Sequence, residues 1–347
     1  MHEVLTFLTL EVTMVNLGFI GYGYWGPNLV RNFYATKDAK VVKVCDLRKE
    51  RLNLVEPSYP SVKTTTDYKD LIRDPQIDAI VISTPVSTHF PLAKEAFEND
   101  KHVMLEKPMT ATVEESEKLI ELAEKKKKIL MVDHTFLYTG AVRKMKQLVE
   151  SGELGDLYYF DSVRVNLGLF QHDVNVIWDL APHDFSIMDY LLQKEPQMVS
   201  ATGVSHFGDL ENIAYVTVQY PNNLIAHIHV NWLAPVKLRT TLIGGSKKMI
   251  VYDDNEPSEK IKIYDRGVSY VEKAEDVYQI LVQYRTGDML APKLDSSEAL
   301  KLVSKEFVDS ITQNRKPLTD GEKGLRVVRL LESANQSLKQ KGKVINL

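Results

Sequence analysis

A glycine-rich run directly after a short apolar segment places the strongest constraint on this fold. Gly21-Tyr22-Gly23-Tyr24-Trp25-Gly26 follows Val15–Ile20 and precedes a stretch with helical spacing. In such a strand–turn–helix unit the first glycine permits a tight turn, the second lets the backbone approach a pyrophosphate, and the third allows close helix packing. The run therefore predicts a dinucleotide site with these contacts: Gly21, Gly23, Tyr24, Trp25 and Gly26.

An acidic residue stands where the next predicted strand ends. Asp46 follows the apolar segment Val41–Cys45 and lies 20 residues after Gly26. A carboxylate at this point can accept hydrogen bonds from an adenosine ribose and repels a 2′-phosphate. We therefore expect NAD as the cofactor, while the nearby Arg48 leaves NADP open. The alternative role for Asp46 is that of a helix N-cap.

Short apolar segments alternate with helical stretches along the first part of the chain, from Val15 to Val132. This alternation is typical of an α/β domain with a parallel sheet and crossover helices. We predict such a domain over residues 14–135, preceded by an N-terminal extension, residues 1–13, that is peripheral to function. The expected strands are Val15–Ile20, Val41–Cys45, Ala79–Ser83, His102–Leu105 and Ile129–Val132, and the expected helices are Asn28–Ala35, Thr88–Asn99 and Thr112–Lys127.

After about Gly155 the pattern changes to longer alternating runs, which predict antiparallel strands. Pro221-Asn222-Asn223 has the composition of a hairpin turn. Two closing helices are expected, and together these elements predict an α+β domain over residues 136–347. The expected strands are Leu157–Val165, Ile213–Tyr220, Leu224–Trp232 and Leu238–Ile243, and the expected helices are Ser297–Gln313 and Gly321–Lys339.

Charge and cysteine content narrow the kinds of partner. Lysine and arginine number 43 and aspartate and glutamate 47, so the net charge of −4 argues against a nucleic-acid-binding surface. The single cysteine, Cys45, favours a reducing cytoplasm, and no apolar stretch reaches the roughly 20 residues that span a bilayer. His227 and His229 lack neighbouring acidic or thiol ligands, so we predict no metal site. A small-molecule partner is expected.

Polar residues follow two further predicted strands, at the sheet edge where ligands of parallel sheets bind. Thr84, Pro85 and His89 come after Ala79–Ser83 and are expected to contact the cofactor, although Pro85 also ends the strand. Glu106-Lys107-Pro108 comes after His102–Leu105. A lysine there can polarise an oxygen of a bound substrate. We therefore add Glu106 and Lys107 to the cofactor contacts.

These motifs together resemble the Gfo/Idh/MocA oxidoreductases. The glycine loop, Thr84-Pro85 with His89, Glu106-Lys107-Pro108 and the later segment 178–184, Trp-Asp-Leu-Ala-Pro-His-Asp, occur in the family's order and spacing. The resemblance implies an N-terminal Rossmann domain. It also implies a C-terminal α+β domain with an open, mostly antiparallel mixed sheet, which often forms the interface of a homodimer or homotetramer.

The same resemblance implies the catalytic residues. Asp179 and His183 match an aspartate and a histidine four residues apart at the start of an active-site helix, and this spacing places them on one helix face. We expect Asp179 to orient or charge-tune the imidazole, His183 to remove a hydroxyl proton, and Lys107 to polarise the emerging carbonyl. The roles of Lys107 and His183 can also be exchanged.

Substrate contacts are assigned on position. Lys107, His183, Arg164, Asn166 and Asn175 suit a polyhydroxylated ring, and Lys237 and Arg239 share a strand face that can meet a diphosphate. Together with the residue pattern of 231–239, these positions resemble those of family members that act on nucleotide sugars. We expect oxidation of a secondary hydroxyl, C3 of a UDP-N-acetylhexosamine. Three alternatives stay open: an inositol or free-sugar dehydrogenase, a keto-sugar reductase, and a non-catalytic sugar or dinucleotide sensor.

Overall fold

A computed structural model describes residues 14–168, 170–171, 173–271 and 281–347. The predicted N-terminal extension, residues 1–13, lies outside the described residues. The chain forms two compact units. Unit 1 contains the residues up to Glu106 together with Lys118–Asp133 and Leu300–Asp320, and unit 2 contains Lys107–Glu117, His134–Ala299 and Gly321–Leu347.

Strands and helices alternate along the chain as far as Asp133. The strands are β1 (Val15–Ile20), β2 (Ala39–Cys45), β3 (Lys63–Thr65), β4 (Ala79–Ile82), β5 (His102–Glu106) and β6 (Leu130–Asp133). The helices are α1 (Gly26–Tyr34), α2 (Lys49–Leu52), α3 (Lys69–Ile72), α4 (His89–Glu98) and α5 (Val113–Lys126). The five predicted strands and three predicted helices are present, with ends shifted by up to two residues.

The six strands form one parallel sheet in the order β3-β2-β1-β4-β5-β6. Every residue of β4 and β6 is buried, as in a parallel sheet that has helices on both faces. The strand order reverses beside β1, between β2 and β4, so the loops after β1 and β4 border the point where such sheets bind ligands. The predicted Rossmann-type α/β class is confirmed.

The remaining chain is richer in strands. These strands are β7 (Leu157–Leu167), β8 (Met198–Val204), β9 (Ile213–Gln219), β10 (Ile225–Asn231), β11 (Leu233–Gly245), β12 (Met249–Asp253), β13 (Ile261–Tyr264), β14 (Gly267–Val271), β15 (Leu281–Arg285), β16 (Met289–Leu290) and β17 (Ile345–Asn346). The helices are α6 (Gly140–Glu150), α7 (Val176–Leu192), α8 (Ala299–Thr312) and α9 (Gly321–Lys339). None of the helices in the described part of the chain is long and apolar enough to cross a membrane.

The large sheet of unit 2 has the order β16-β13-β12-β11-β7-β10-β9-β8-β17. Its pairs are antiparallel except for β7 with β10, which run parallel. The expectation that the long alternating runs are all antiparallel is therefore wrong for this pair, because an alternating pattern reports a one-sided sheet and not the strand direction. The mostly antiparallel mixed sheet that the resemblance implied is confirmed.

The alternation along β10 determines which face is covered. Ala226, Ile228 and Val230 are fully buried, whereas His227 is exposed and His229 is partly exposed. The hairpin before β10 is confirmed: Asn222 and Asn223 have φ angles of 63° and 58° and join β9 to β10. Helix α7 packs on the covered face.

The two closing helices belong to different units. Helix α8 lies in unit 1, where Phe307 contacts Phe33 of α1 edge to face at 6.1 Å, whereas α9 lies in unit 2 with α7. The chain passes between the units more than once: the segment after β5 belongs to unit 2, and the chain returns to unit 1 at Lys118. Lys107 consequently belongs to the same unit as Asp179 and His183.

Candidate active site

The glycine loop between β1 and α1 is fixed by close backbone approaches. Gly21 has a φ of +99°, and a Cβ atom there would lie 2.4 Å from the carbonyl oxygen of Ser83. A Cβ at Gly26 would lie 2.4 Å from the carbonyl oxygen of Gly21. Gly23 differs, because the nearest atom to its Cβ would be Arg48 Nη2 at 3.5 Å. Gly21 and Gly26 thus serve the fold itself, and Gly23 leaves room for a ligand to approach.

The Asp46 carboxylate is hydrogen-bonded to this loop. Its Oδ2 accepts the Tyr22 backbone N–H at 2.8 Å, and its Oδ1 accepts the Arg48 backbone N–H at 2.9 Å and the Arg48 Nε–H at 3.2 Å. Burial alone would raise the pKa of Asp46, but these hydrogen bonds from Arg48 and Tyr22 lower it below its usual value. The carboxylate therefore stays ionised, and Oδ2, which accepts one hydrogen bond, retains a lone pair for a ribose hydroxyl.

The other predicted cofactor contacts of unit 1 have defined local partners. Trp25 is the residue before α1, and its Nε1–H donates to Asp133 at 3.1 Å, whereas Tyr24 is 83% exposed. The Thr84 hydroxyl hydrogen-bonds to Thr88 at 2.6 Å. His89 is buried, and its Nε2 lies 2.9 Å from the Thr84 carbonyl. His89 therefore holds the loop after β4, where Pro85 precedes a short 3₁₀ turn.

Glu106 ends β5, and Lys107 begins the segment of unit 2 that follows it. The Lys107–Pro108 peptide bond is cis. The Lys107 ammonium donates to the backbone carbonyl of Asp179 at 2.8 Å and lies 3.9 Å from Asp179 Oδ1. The side chains of Lys107 and Asp179 are 18% and 22% exposed, so the pair is accessible from one side.

Asp179 is held from its other oxygen by a tryptophan. Trp232, the residue after β10, donates its Nε1–H to Asp179 Oδ2 at 2.9 Å. Among the described residues, the hydrogen-bond and ion-pair partners of this carboxylate are Trp232 and Lys107, and no hydrogen bond joins it to His183, which it is expected to orient or charge-tune. The four-residue spacing places both side chains on one helix face, but it does not determine which way each one turns.

The family resemblance implied that His183 lies at the start of its helix, but it does not. It is the eighth residue of α7, which begins at Val176 and contains Pro182 in its interior. Burial lowers the pKa of His183 well below the usual value, and the positive charges of Lys107, Arg164 and Arg239 lower it further. The imidazole is therefore neutral at neutral pH.

Arg164 lies in β7 behind this group and forms a buried ion pair. Its Nε and Nη2 donate to the two oxygens of Asp184 at 2.6 and 3.1 Å, and Ser162 donates to Asp184 Oδ1 at 2.6 Å. The side chains of Arg164 and Asp184 are 4% and 1% exposed. A bidentate geometry of this kind fixes the guanidinium plane. The Arg164 guanidinium therefore has a fixed orientation, and its positive charge acts on His183.

An aromatic ring joins the two arginines and the histidine. Phe136 contacts the His183 ring edge to face at 5.0 Å, and the guanidinium carbons of Arg164 and Arg239 lie 4.7 and 5.8 Å from its centre. Arg239 is the cross-strand partner of Arg164 and donates to Asp254 at 3.2 Å. Lys237, the other predicted diphosphate contact, is exposed on β11.

Buried polar atoms without a hydrogen-bond partner concentrate here. Within the described residues seven such side-chain atoms occur, and five of them belong to four residues of this cluster: both ring nitrogens of His134, His183 Nδ1, Arg164 Nη1 and Arg239 Nε. A buried polar group without a partner costs about 1–3 kcal/mol. Their concentration beside Lys107 is typical of a site whose ligand supplies the missing partners.

Two predicted substrate residues have other placements. Asn175 is the N-cap of α7: its side-chain oxygen accepts the Trp178 N–H, and its amide donates to Glu211 and Asn335. A capping role accounts for this side chain, and we do not retain it as a substrate contact. Asn166 is partly buried near the end of β7.

Sequence reasoning assigned no site role to three members of the cluster, Trp232, Phe136 and Asp184, and for His134 it left open both a site role and a packed domain junction. The ring of Trp232 is buried, in keeping with the alternation of buried and exposed residues along β10, but that alternation does not indicate the acceptor of its indole N–H. His134 follows β6, where a polar residue at a strand's carboxyl end is a usable signal. Asp184 lies within the quoted motif, but its partners become evident only from the folded sheet.

The comparison with protein families assigns the chain. Residues 15–134 match the model of an oxidoreductase family with an NAD-binding Rossmann fold, and residues 142–251 match the C-terminal domain model of the same family. The chain therefore belongs to the Gfo/Idh/MocA oxidoreductase family. The glycine loop and the ionised Asp46 fit NAD, whose pyrophosphate and ribose those groups recognise.

Individual relatives differ in what they oxidise. A UDP-N-acetylglucosamine 3-dehydrogenase of Acidithiobacillus ferrooxidans is 27% identical over 90% of this chain and 93% of its own length. A myo-inositol 2-dehydrogenase of Thermotoga maritima is 24% identical over 95% of this chain and 98% of its own length. A solved structure of the Acidithiobacillus ferrooxidans enzyme shares the fold, with a TM-score of 0.78 at 24% identity, and the match covers 94% of this chain and 98% of that one.

Proposed function

We propose that this oxidoreductase is a dehydrogenase that oxidises a secondary hydroxyl of a sugar, and that its substrate is a nucleotide sugar of the UDP-N-acetylhexosamine class oxidised at C3. The observation that carries the first part is the Lys107 ammonium fixed by Asp179 in the same unit as a neutral His183. NAD, when bound, accepts the hydride that leaves the carbon. The chain's own residues then have to accept the hydroxyl proton and stabilise the negative charge that develops on the substrate oxygen.

Lys107 and His183 divide this work in the proposal. The Lys107 ammonium donates to the substrate oxygen and stabilises the negative charge that develops as its proton leaves. His183 is neutral because burial and neighbouring cations lower its pKa, and its Nδ1 has no hydrogen-bond partner among the described residues. A neutral imidazole can accept the hydroxyl proton. Asp179 holds the ammonium in place and does not touch the imidazole.

The dependence of kcat/KM on pH distinguishes this division from its reverse. If His183 takes the proton, its lowered pKa keeps the base in the neutral form, so activity persists as the pH falls below the usual histidine value of about 6.5. If the amine takes the proton instead, the ammonium form is inactive as a base, so kcat/KM falls steadily as the pH is lowered.

The nucleotide-sugar part of the proposal is supported by two features. Arg239 is 31% exposed beside Phe136, and its Nε has no hydrogen-bond partner among the described residues, so it can meet an anionic group. The relative from Acidithiobacillus ferrooxidans acts on UDP-N-acetylglucosamine. A second candidate is an inositol or free-sugar dehydrogenase, which the similarity to the Thermotoga maritima enzyme favours.

The decisive experiment follows NADH absorbance while the protein and NAD meet UDP-N-acetylhexosamines, free sugars and inositols in turn. A carbonyl trap removes the ketone, because oxidation of alcohols by NAD is uphill near neutral pH. NADH formation with a UDP-N-acetylhexosamine alone supports the leading proposal. Formation with free polyols alone replaces it with the second candidate, and NAD binding without turnover of any compound favours a sensor or a reductase.

A further inference from the structure

Trp232 makes a polar contact that packing alone does not require. Its ring is 1% exposed, and its Nε1–H donates to Asp179 Oδ2 at 2.9 Å. Buried indoles usually find an acceptor. Most side-chain hydrogen bonds go to backbone or water, whereas this indole uses a partly exposed carboxylate. A hydrogen bond to an ionised acceptor is about twice as strong as a neutral one.

Asp179 connects this indole to the Lys107 amine. Asp179 Oδ2 accepts the Trp232 indole N–H, and Asp179 Oδ1 lies 3.9 Å from Lys107 Nζ. The Asp179 backbone carbonyl accepts a hydrogen bond from the Lys107 amine at 2.8 Å. We propose that Trp232 is a positioning residue for Lys107: by fixing one carboxylate oxygen, it turns the other toward the amine. This inference rests on the proposed role of Lys107 in the reaction.

The indole itself is held from several sides. The backbone N–H of Trp232 donates to the Asn212 carbonyl at 2.9 Å, and the backbone carbonyl of Trp232 accepts the Gly168 N–H at 3.2 Å. Gly168 also leaves space for the ring, because a Cβ there would lie 2.8 Å from Trp232 Cδ1. The Phe170 ring lies against the indole at 5.4 Å. Trp232 is thus a fixed donor that does not adjust to Asp179.

Fixing Asp179 matters because its side chain is more exposed than the indole that holds it. Its side chain is 22% exposed, so without the indole the carboxylate can adopt other rotamers. The Lys107 chain is long and flexible and depends on its acceptors for a defined amine position. A displacement of about 1 Å at a reacting group can cost on the order of a hundredfold in rate. Loss of the indole N–H should therefore appear in kcat.

The first test is a double-mutant cycle in the whole chain, with the substrate that the NADH assay identifies. Trp232→Phe removes the N–H but keeps an aromatic ring, and we expect kcat to fall about tenfold or more with the Kd for NAD within about twofold of wild type. Asp179→Asn removes the carboxylate. If Trp232 acts through Asp179, the double variant has the kcat of Asp179→Asn alone. Multiplicative losses would overturn the proposal.

The matched control is Phe170→Leu, which alters packing against the indole and leaves its N–H in place. We expect its kcat to stay within about twofold of wild type, because Phe170 is 37% exposed and has no polar side-chain atom to offer Asp179. A loss equal to that of Trp232→Phe would mean that the indole acts by packing, which also contradicts the proposal.

A second readout does not depend on turnover. The rate at which an amine-reactive acylating reagent modifies Lys107, followed by peptide mass spectrometry, should rise at least about threefold in Trp232→Phe and in Asp179→Asn and stay unchanged in Phe170→Leu. An unchanged rate in Trp232→Phe refutes the positioning role even in an active dehydrogenase. A raised rate in a protein that oxidises no sugar leaves the positioning role intact and refutes the proposed function.

Discussion

The glycine loop of unit 1 and the Lys107 cluster of unit 2 are built by different means. The loop is fixed by backbone, because Cβ atoms at Gly21 and Gly26 would collide with carbonyl oxygens and Asp46 accepts two backbone N–H groups. The cluster is fixed by side chains from separate parts of the sequence. Lys107, Asp179 and Trp232 meet only in the folded unit. Backbone geometry is readable from local sequence, whereas side-chain geometry is not.

The largest effect should come from removing the amine at the centre of the side-chain-built region. We expect Lys107→Ala to lower kcat/KM by about a thousandfold, within the usual contribution of acid–base and polarising groups. The Kd for NAD should stay within about twofold, because the glycine loop and Asp46 lie in unit 1. Steady-state kinetics and NAD titration measure the two quantities. Near-normal turnover would remove Lys107 from the mechanism.

The control for that variant is Lys94→Ala, which removes a lysine that is 51% exposed in α4 and pairs with Glu98. Exposed pairs of this kind are worth about 1 kcal/mol or less. Both kinetic constants should be unchanged, so a general loss of activity in both variants would indicate damage to the fold and not to the site.

The next largest effect should come from the buried pair behind His183. Asp184→Asn leaves the Arg164 charge without its bidentate partner, and breaking such a pair costs about 3–5 kcal/mol of unfolding free energy. Replacing both residues, as Arg164→Met with Asp184→Leu, should recover most of that loss. Urea denaturation measures both. If the double variant is as unstable as the single one, the pair is not the source of the loss.

These two regions also explain how far the sequence carries. Both ends of β1 were predicted correctly, and the glycine pattern together with Asp46 predicted a dinucleotide site. Both predictions rest on turns and strand ends, which have local sequence signals. The hydrogen-bond partners of Asp179 could not be predicted in the same way. A spacing of four residues is a property of the helix, whereas the carboxylate turns toward Lys107, 72 residues away, and toward Trp232.

The position of His183 shows a second limit of the same kind. The resemblance implied a helix that starts near Asp179 and His183. In the structure α7 begins at Val176, where Asn175 caps it, and tolerates Pro182 in its interior. Tertiary packing thus overrode a local propensity. The parallel pairing of β7 with β10 has the same origin, since it depends on neighbours that the pattern of either strand does not contain.

A smaller effect is expected from pH and concerns His134. Burial, together with the charge of Lys107, lowers the pKa of His134 to about 3. The unfolded chain, with a pKa near 6.5, then binds the proton more readily, so stability is full above about pH 6.5 and falls as the pH drops toward 3. From pH 7 to pH 5 this one group should cost about 2 kcal/mol.

The measurement is urea denaturation of wild type and His134→Leu at pH 7, 6 and 5. Leucine cannot take up a proton and removes two buried ring nitrogens that have no partner among the described residues, so the variant should lose less stability between pH 7 and 5. An equal loss in both proteins would mean that His134 is not the titrating group. The glycine loop contains no histidine, and pH in this range should leave its backbone contacts unchanged.

The smallest effect should separate the glycine that serves the ligand from those that serve the fold. A Cβ at Gly23 would have only Arg48 Nη2 at 3.5 Å as a neighbour, so Gly23→Ala should change the unfolding free energy without cofactor by less than about 0.5 kcal/mol. The added methyl group occupies the space that a pyrophosphate needs, so the Kd for NAD should rise about tenfold, equal to about 1.4 kcal/mol. In the matched variant Gly26→Ala, the methyl group meets the Gly21 carbonyl at 2.4 Å, and stability itself should fall. If Gly23→Ala binds NAD normally, the pyrophosphate does not approach this backbone, and the loop of unit 1 would have to be read as a structural turn.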